Sequence, residues 1–91
     1  LQVLLTKTAQ KDLARIPRDR RSQVLQALQA LEGWPLLEGM DIARLKGYTE
    51  KIYRLRIGDY RVVFLTAEDA IYILRVVSRQ ELEKVLRQLR P

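Results

Sequence analysis

An α+β fold, with a helix pair ahead of a run of strands, is predicted by three observations. Residues 52–65, IYRLRIGDYRVVFL, are two alternating runs joined by Gly58-Asp59, a strong two-residue hairpin signal. Helix-period apolar spacing is confined to residues 9–32 and to the end of the chain. Strands cluster late instead of alternating with helices, which argues against a doubly wound parallel sheet. The expected architecture is a small antiparallel sheet, an N-terminal strand plus a three-strand meander. It packs against the N-terminal helix pair, and a C-terminal helix follows.

Each element has a local reason. Gln2 to Leu5 is a short apolar strand. Thr6-Lys7-Thr8 offers an N-cap, and Ala9 to Ile16 forms a first helix with Ala9, Leu13 and Ile16 on one stripe. Pro17 breaks it. Arg18 to Glu32 forms a second helix, with Val24, Leu25, Leu28 and Leu31 as its apolar face and Gly33 near its stop. The stretch Trp34 to Gly47 is irregular, with Ile42 to Leu45 as a brief extended piece. After the hairpin, Ala67 to Ala70 turns and Ile71 to Val77 makes a third consecutive strand. Ser78 then caps a terminal helix, with Glu81 in the N3 place and Leu82, Val85, Leu86 and Leu89 as its stripe.

The hairpin carries the chemistry. A turn at Gly58-Asp59 sets Ile57 against Tyr60, Arg56 against Arg61, Leu55 against Val62 and Arg54 against Val63. Side chains alternate along a strand, so Arg54, Arg56 and Arg61 share one face. Tyr53, Leu55, Ile57, Tyr60, Val62 and Phe64 share the other, the face for the helix pair to cover. Like charges directly opposite destabilise a sheet, so Arg56 against Arg61 requires an offsetting carboxylate or a ligand. Asp59 is the only carboxylate between Lys51 and Arg61, and it sits in the turn. Arg79, just past the third strand, is positioned to join from the side. A solvated strand face is the plain alternative to a phosphate site here.

Composition narrows the function. The chain has 91 residues, enough for one domain spanning 1–91 and one core. No apolar run reaches bilayer length, so no membrane partner is expected. There is no cysteine, which fits a reducing cytoplasm, the expected location. There is no histidine, which removes the commonest general acid–base group and metal ligand. Neither metal nor cofactor is expected. The net charge of +6 points to a polyanionic partner, and arginine in preference to lysine leans toward phosphate.

Other groups are weaker. Arg18, Arg20 and Arg21 start the second helix, where cations oppose the helix dipole, and they are either a second phosphate contact or a solvated end. Lys46, Lys51 and Lys84 are further candidates for contact with a phosphate backbone. Tyr48, in a loop, is free to stack on a base, and Trp34 plugs the end of the helix pair. The face of Tyr72 depends on the second turn. Glu81 has a capping role; with Lys51 and Lys84 it is a candidate for proton transfer.

The segments LTKTAQKDLARIPRDRRSQVLQAL, LKGYTEKIYRLRIGDYRVVF and RVVSRQELEKV resemble the RelE branch of the RelE/ParE toxin superfamily, from type II toxin–antitoxin pairs. The resemblance implies a microbial RNase-like fold and an mRNA interferase that cuts messenger RNA in the ribosomal A site, inhibiting translation. It implies a cognate antitoxin that masks the basic face, with operator DNA reached only through that antitoxin. It gives Arg54, Arg56, Arg61 and Arg79 the roles of RNA binding and cleavage. Two features depart from it: Lys84-Val85 stands where relatives often have a Tyr, and Ser78 where many have a His. Both departures remove proton-transfer groups. They keep open a ParE-like toxin that inhibits DNA gyrase without nuclease activity, and an attenuated toxin that chiefly binds its antitoxin.

Overall fold

The structure, a computed structural model, describes residues 1–90. Strand β1 (Gln2–Leu5) leads into helices α1 (Lys7–Ala14) and α2 (Arg18–Ala30), and a single 3-10 turn (Leu31–Gly33) closes α2. Strands β2 (Asp41–Arg44), β3 (Ile52–Ile57), β4 (Tyr60–Thr66) and β5 (Ala70–Ser78) follow, then helix α3 (Leu82–Leu89). The sheet runs in the order β1-β5-β4-β3-β2.

Two features differ from the expected antiparallel sheet. β1 pairs with β5 in parallel, Gln2 opposite Ala70 through Leu5 opposite Ile73, so the sheet is mixed. The brief extended piece is a true fifth strand: β2 pairs antiparallel with β3, setting Asp41 opposite Arg56 and Ala43 opposite Arg54. The meander stands as expected. Ile57 faces Tyr60, Arg56 faces Arg61, Leu55 faces Val62 and Arg54 faces Val63. Gly58 has φ +54° while Asp59 does not enter positive φ, the pattern of a type II′ turn, in which only the first central residue needs glycine.

Local chemistry sets the helices. The Thr6 hydroxyl accepts from the Ala9 N–H at 3.1 Å and starts α1 two residues ahead of the sequence boundary. Pro17 ends the first helix and serves as the N-cap of the second. Ala9 and Leu13 of α1, with Ile16 just beyond it, join Val24, Leu28 and Leu31 over Leu55, Val62, Phe64, Ile71, Ile73 and Val76 of the sheet. Each large side chain buried this way contributes about 1.5–3 kcal/mol. Leu25, expected on the apolar face of α2, is 47% exposed instead. Trp34 enters this core edge-on to Tyr53 at 4.8 Å and to Phe64 at 5.5 Å.

The opposite face of the sheet is divided. Arg54, Arg56 and Arg61 lie toward the hairpin tip, while Ile52, Val63 and Val77 on the same face are buried. The helix pair covers the other side, so the element left to bury them is α3, which contributes the buried Val85. The Tyr48 hydroxyl donates to the Leu86 carbonyl at 2.9 Å and fastens α3 to the β2–β3 loop. Tyr48 is therefore engaged with α3 and not held free for a base. The start of α3 also differs from the capping box expected at Ser78. Ser78 ends β5, a turn intervenes, and Glu81 becomes the N-cap, its Oε1 accepting from the Ser78 hydroxyl at 3.0 Å.

A buried carboxylate finishes the β5 edge. β1 stops opposite Ile73, and beyond it a bulge shifts the register so that Val63 faces Arg75 while Phe64 faces Ile73. From α1, Asp12 takes the exposed edge. It accepts from Val76 N–H at 2.9 Å and from Arg75 Nε and Nη2 at 2.8 and 3.2 Å. The bond to Asp12 holds the Arg75 guanidinium above its ordinary pKa, against partial desolvation.

Candidate nucleic-acid interface

Three elements meet at the hairpin tip. The β3–β4 register places Arg54, Arg56 and Arg61 on one face, as the alternation predicts. Arg61 is aimed by the turn itself: its Nη1 donates to the carbonyls of Gly58 and Tyr60, both at 2.9 Å. The Arg79 backbone N–H donates to the Asp59 carbonyl at 2.8 Å, which ties the end of β5 to the same turn. Arg61 feels the charges around it. The Arg61 guanidinium is pushed below its ordinary pKa, first by partial desolvation and then by Arg56, Arg54 and Arg79, with Asp41 acting in the opposite direction.

Asp41 is the residue sequence reasoning missed. It lies far from the hairpin in the chain, and only the β2–β3 register brings it opposite Arg56. Its Oδ1 accepts from Arg54 Nη1 at 3.0 Å, and its Oδ2 lies 4.0 Å from Arg56 Nη1. This is the carboxylate that the like-charged pair required. One carboxylate for four arginines leaves the site with three uncompensated positive charges by formal count (4 − 1 = 3).

The other expected contacts are scattered. Arg21 is held by the Ile16 carbonyl through Nε and Nη2 at 3.2 and 3.0 Å, a neutral partner that fixes the side chain and leaves its charge uncompensated. Arg20, its neighbour, reaches the hairpin through Asp59 at 3.4 Å, although both side chains are more than half exposed and the pair is weak. Arg18, Lys46, Lys51 and Lys84 are exposed and form no ion pair among the described residues. Lys51 precedes β3 and stands roughly 17 Å of strand from Arg56. Lys84 rides on α3. Glu81 raises the Arg75 pKa and hydrogen-bonds Ser78, so it belongs to the Asp12 side of the molecule.

The arginine face is open. Two hollows among the described residues lie elsewhere: a groove of about 240 Å³ between Asp12, Arg15, Tyr60 and Glu81, and a shallow one of about 610 Å³ between Trp34, Lys51 and Glu68. A row of guanidinium groups running from half-buried Arg54 to exposed Arg56 suits a chain of phosphates better than an enclosed small molecule. No group of three or more His, Cys, Asp or Glu able to hold a metal stands among the described residues. Among the described residues no helix is long and apolar enough to cross a membrane.

Fold and site together define a small basic α+β protein with an arginine-rich face. The family follows from comparison: a model of the ParE toxin of type II toxin–antitoxin systems matches residues 3–83, and the chain belongs to the RelE/ParE toxin family. It is 36% identical over 81 residues to a Methanocaldococcus jannaschii protein provisionally named toxin RelE1, covering 87% of this chain and 89% of that one. Its fold matches the archaeal RelE–RelB complex of Pyrococcus horikoshii OT3, with a TM-score of 0.74, 30% identity, and 86% and 93% of the two chains covered. It also matches the RelB–RelE antitoxin–toxin complex of Methanococcus jannaschii, with a TM-score of 0.76, 29% identity, and coverage of 90% and 96%. Within the family these relatives favour the RelE side over the ParE side.

Proposed function

We propose that the protein is the toxin of a type II toxin–antitoxin pair and acts as a ribosome-dependent endoribonuclease on messenger RNA. One observation carries this reading: Arg54, Arg56 and Arg61 share one face with Asp41 as their carboxylate, and the Arg79 backbone is tied to the same turn. Cleavage with the ribose 2′-OH as nucleophile places extra negative charge on the phosphorane, and fixed guanidinium groups stabilise it. Arginine stays protonated and is a poor base, so the arginines position and stabilise and do not abstract the proton. Strand-mounted forks hold the phosphate while the ribosome bends the RNA toward in-line attack. Positioning of that kind is worth about 7–11 kcal/mol at near-ideal geometry, so weak acid–base chemistry slows cleavage without abolishing it.

Lys46, Lys51, Lys84, Arg18 and Arg21 serve as outlying contacts to the RNA backbone, and Arg20 reaches the tip through Asp59. A cognate antitoxin masks the basic face with an acidic or amphipathic segment, and operator DNA is reached only through it. Two solved relatives crystallised with RelB antitoxins, which supports the partner class.

The family model is described by its ParE members, so gyrase inhibition is the second reading. Primer extension on ribosome-bound transcripts, run beside a gyrase supercoiling assay, separates the two. Ribosome-dependent cuts with supercoiling intact support the nuclease; uncut transcripts with supercoiling blocked support the alternative.

A further inference from the structure

We propose that Asp41 is the resident counter-anion of the arginine face: it holds the forks of Arg54 and Arg56 where a ligand phosphate will sit, and a multiply charged ligand displaces it. The inference rests on the reading of this face as a polyanion site and adds a selection rule for ligand charge.

The geometry is that of a phosphate surrogate. A single carboxylate lies between two forks, Oδ1 at 3.0 Å from Arg54 and Oδ2 at 4.0 Å from Arg56. Arg61 is held differently, by the neutral carbonyls of Gly58 and Tyr60, and keeps its charge for an incoming group. Asp41 thus discharges one half of the site and leaves the other half live. Its side chain is 55% exposed, and the Arg56 contact sits at the long limit of an ion pair, so water screens the arrangement and little is lost when it opens.

A charge threshold follows. A ligand with one anionic group gains little by exchanging places with Asp41, because it replaces one carboxylate by one equivalent charge. A run of phosphates first engages Arg61 and Arg79, then brings a second phosphate to Arg54 and Arg56 at high local concentration. The displaced carboxylate stays nearby and repels anions that do not fill all four forks.

Titration with inorganic tripolyphosphate and with inorganic orthophosphate tests this, read by the arginine Nε resonances of the isotope-labelled protein. The wild type binds tripolyphosphate, and the Arg54 and Arg56 resonances move on binding. Asp41→Asn tightens binding by about two- to fivefold, the scale set by an exposed ion pair. In an Arg54→Ala background the same substitution produces less than half that gain. Unchanged or weaker binding by Asp41→Asn overturns the proposal, as does a full gain in the Arg54→Ala background. So does a wild type indifferent to tripolyphosphate, or one that binds orthophosphate as tightly. If the tripolyphosphate results hold while ribosome-bound transcripts stay intact, the nuclease reading fails and the counter-anion stands.

Discussion

The Arg79 backbone N–H donates to the Asp59 carbonyl at 2.8 Å, joining the end of β5 to the tip of the β3–β4 hairpin. The turn that aligns Arg54, Arg56 and Arg61 is thereby also the turn that delivers Arg79. One two-residue reversal sets four charges, and its geometry has measurable consequences.

Gly58 adopts φ +54°, a region that costs an L-residue roughly 1–2 kcal/mol. A Cβ there meets no neighbour, so the cost is backbone strain alone. Gly58→Ala is expected to lower stability by about 1 kcal/mol in urea denaturation, and Gly58→Asn by less. Equal losses for both would mean that the positive φ is not what the position requires.

Asp12 is 7% exposed and carries three hydrogen bonds, one to a strand-edge N–H. Asp12→Ala leaves the Val76 N–H and the Arg75 guanidinium without their partner. The expected loss is about 3 kcal/mol by chemical denaturation, in the range for breaking a buried pair from one side. Replacing Arg75 by Met in the same chain should recover part of it, because the orphaned charge is then gone.

Tyr48→Phe removes the hydroxyl that holds Leu86 and keeps the ring. Stability should fall by about 0.5–1.5 kcal/mol. Hydrogen exchange in α3 should accelerate while the core strands stay protected, since the contact reaches only that helix. Uniform acceleration across the sheet would mean that α3 is part of the main folding unit.

Binding of single-stranded RNA should weaken with salt. Each arginine–phosphate contact removed should flatten the log–log slope by about 0.7. Arg61→Ala, Arg54→Ala and Arg79→Ala should each do so.

What the sequence disclosed follows from how local each signal is. The hairpin register was legible because Gly58-Asp59 and two alternating runs specify it within 14 residues (52–65). Alternation alone then put Arg54, Arg56 and Arg61 on one face. Asp41 was hidden because its approach depends on pairing across residues 45–51, whose length fixes no register. The parallel partner of β1 was hidden too, since four apolar residues fit either direction and the helix crossover decides it. Asp12 carries no local signature at all; a polar residue on an apolar helix stripe acquires meaning only when a strand edge ends beside it. Among the cations of α2, the spacing of Arg18, Arg20 and Arg21 could not tell which one reaches Asp59.

The most direct measurement is cleavage of a defined transcript on purified ribosomes by the wild type and by Arg61→Ala, with a thermal midpoint recorded for each. The account predicts ribosome-dependent cuts by the wild type and a loss of about a hundredfold or more in rate for the variant, at nearly unchanged stability. A wild type that leaves the transcript intact, or a folded Arg61→Ala that cuts at the wild-type rate, would contradict it.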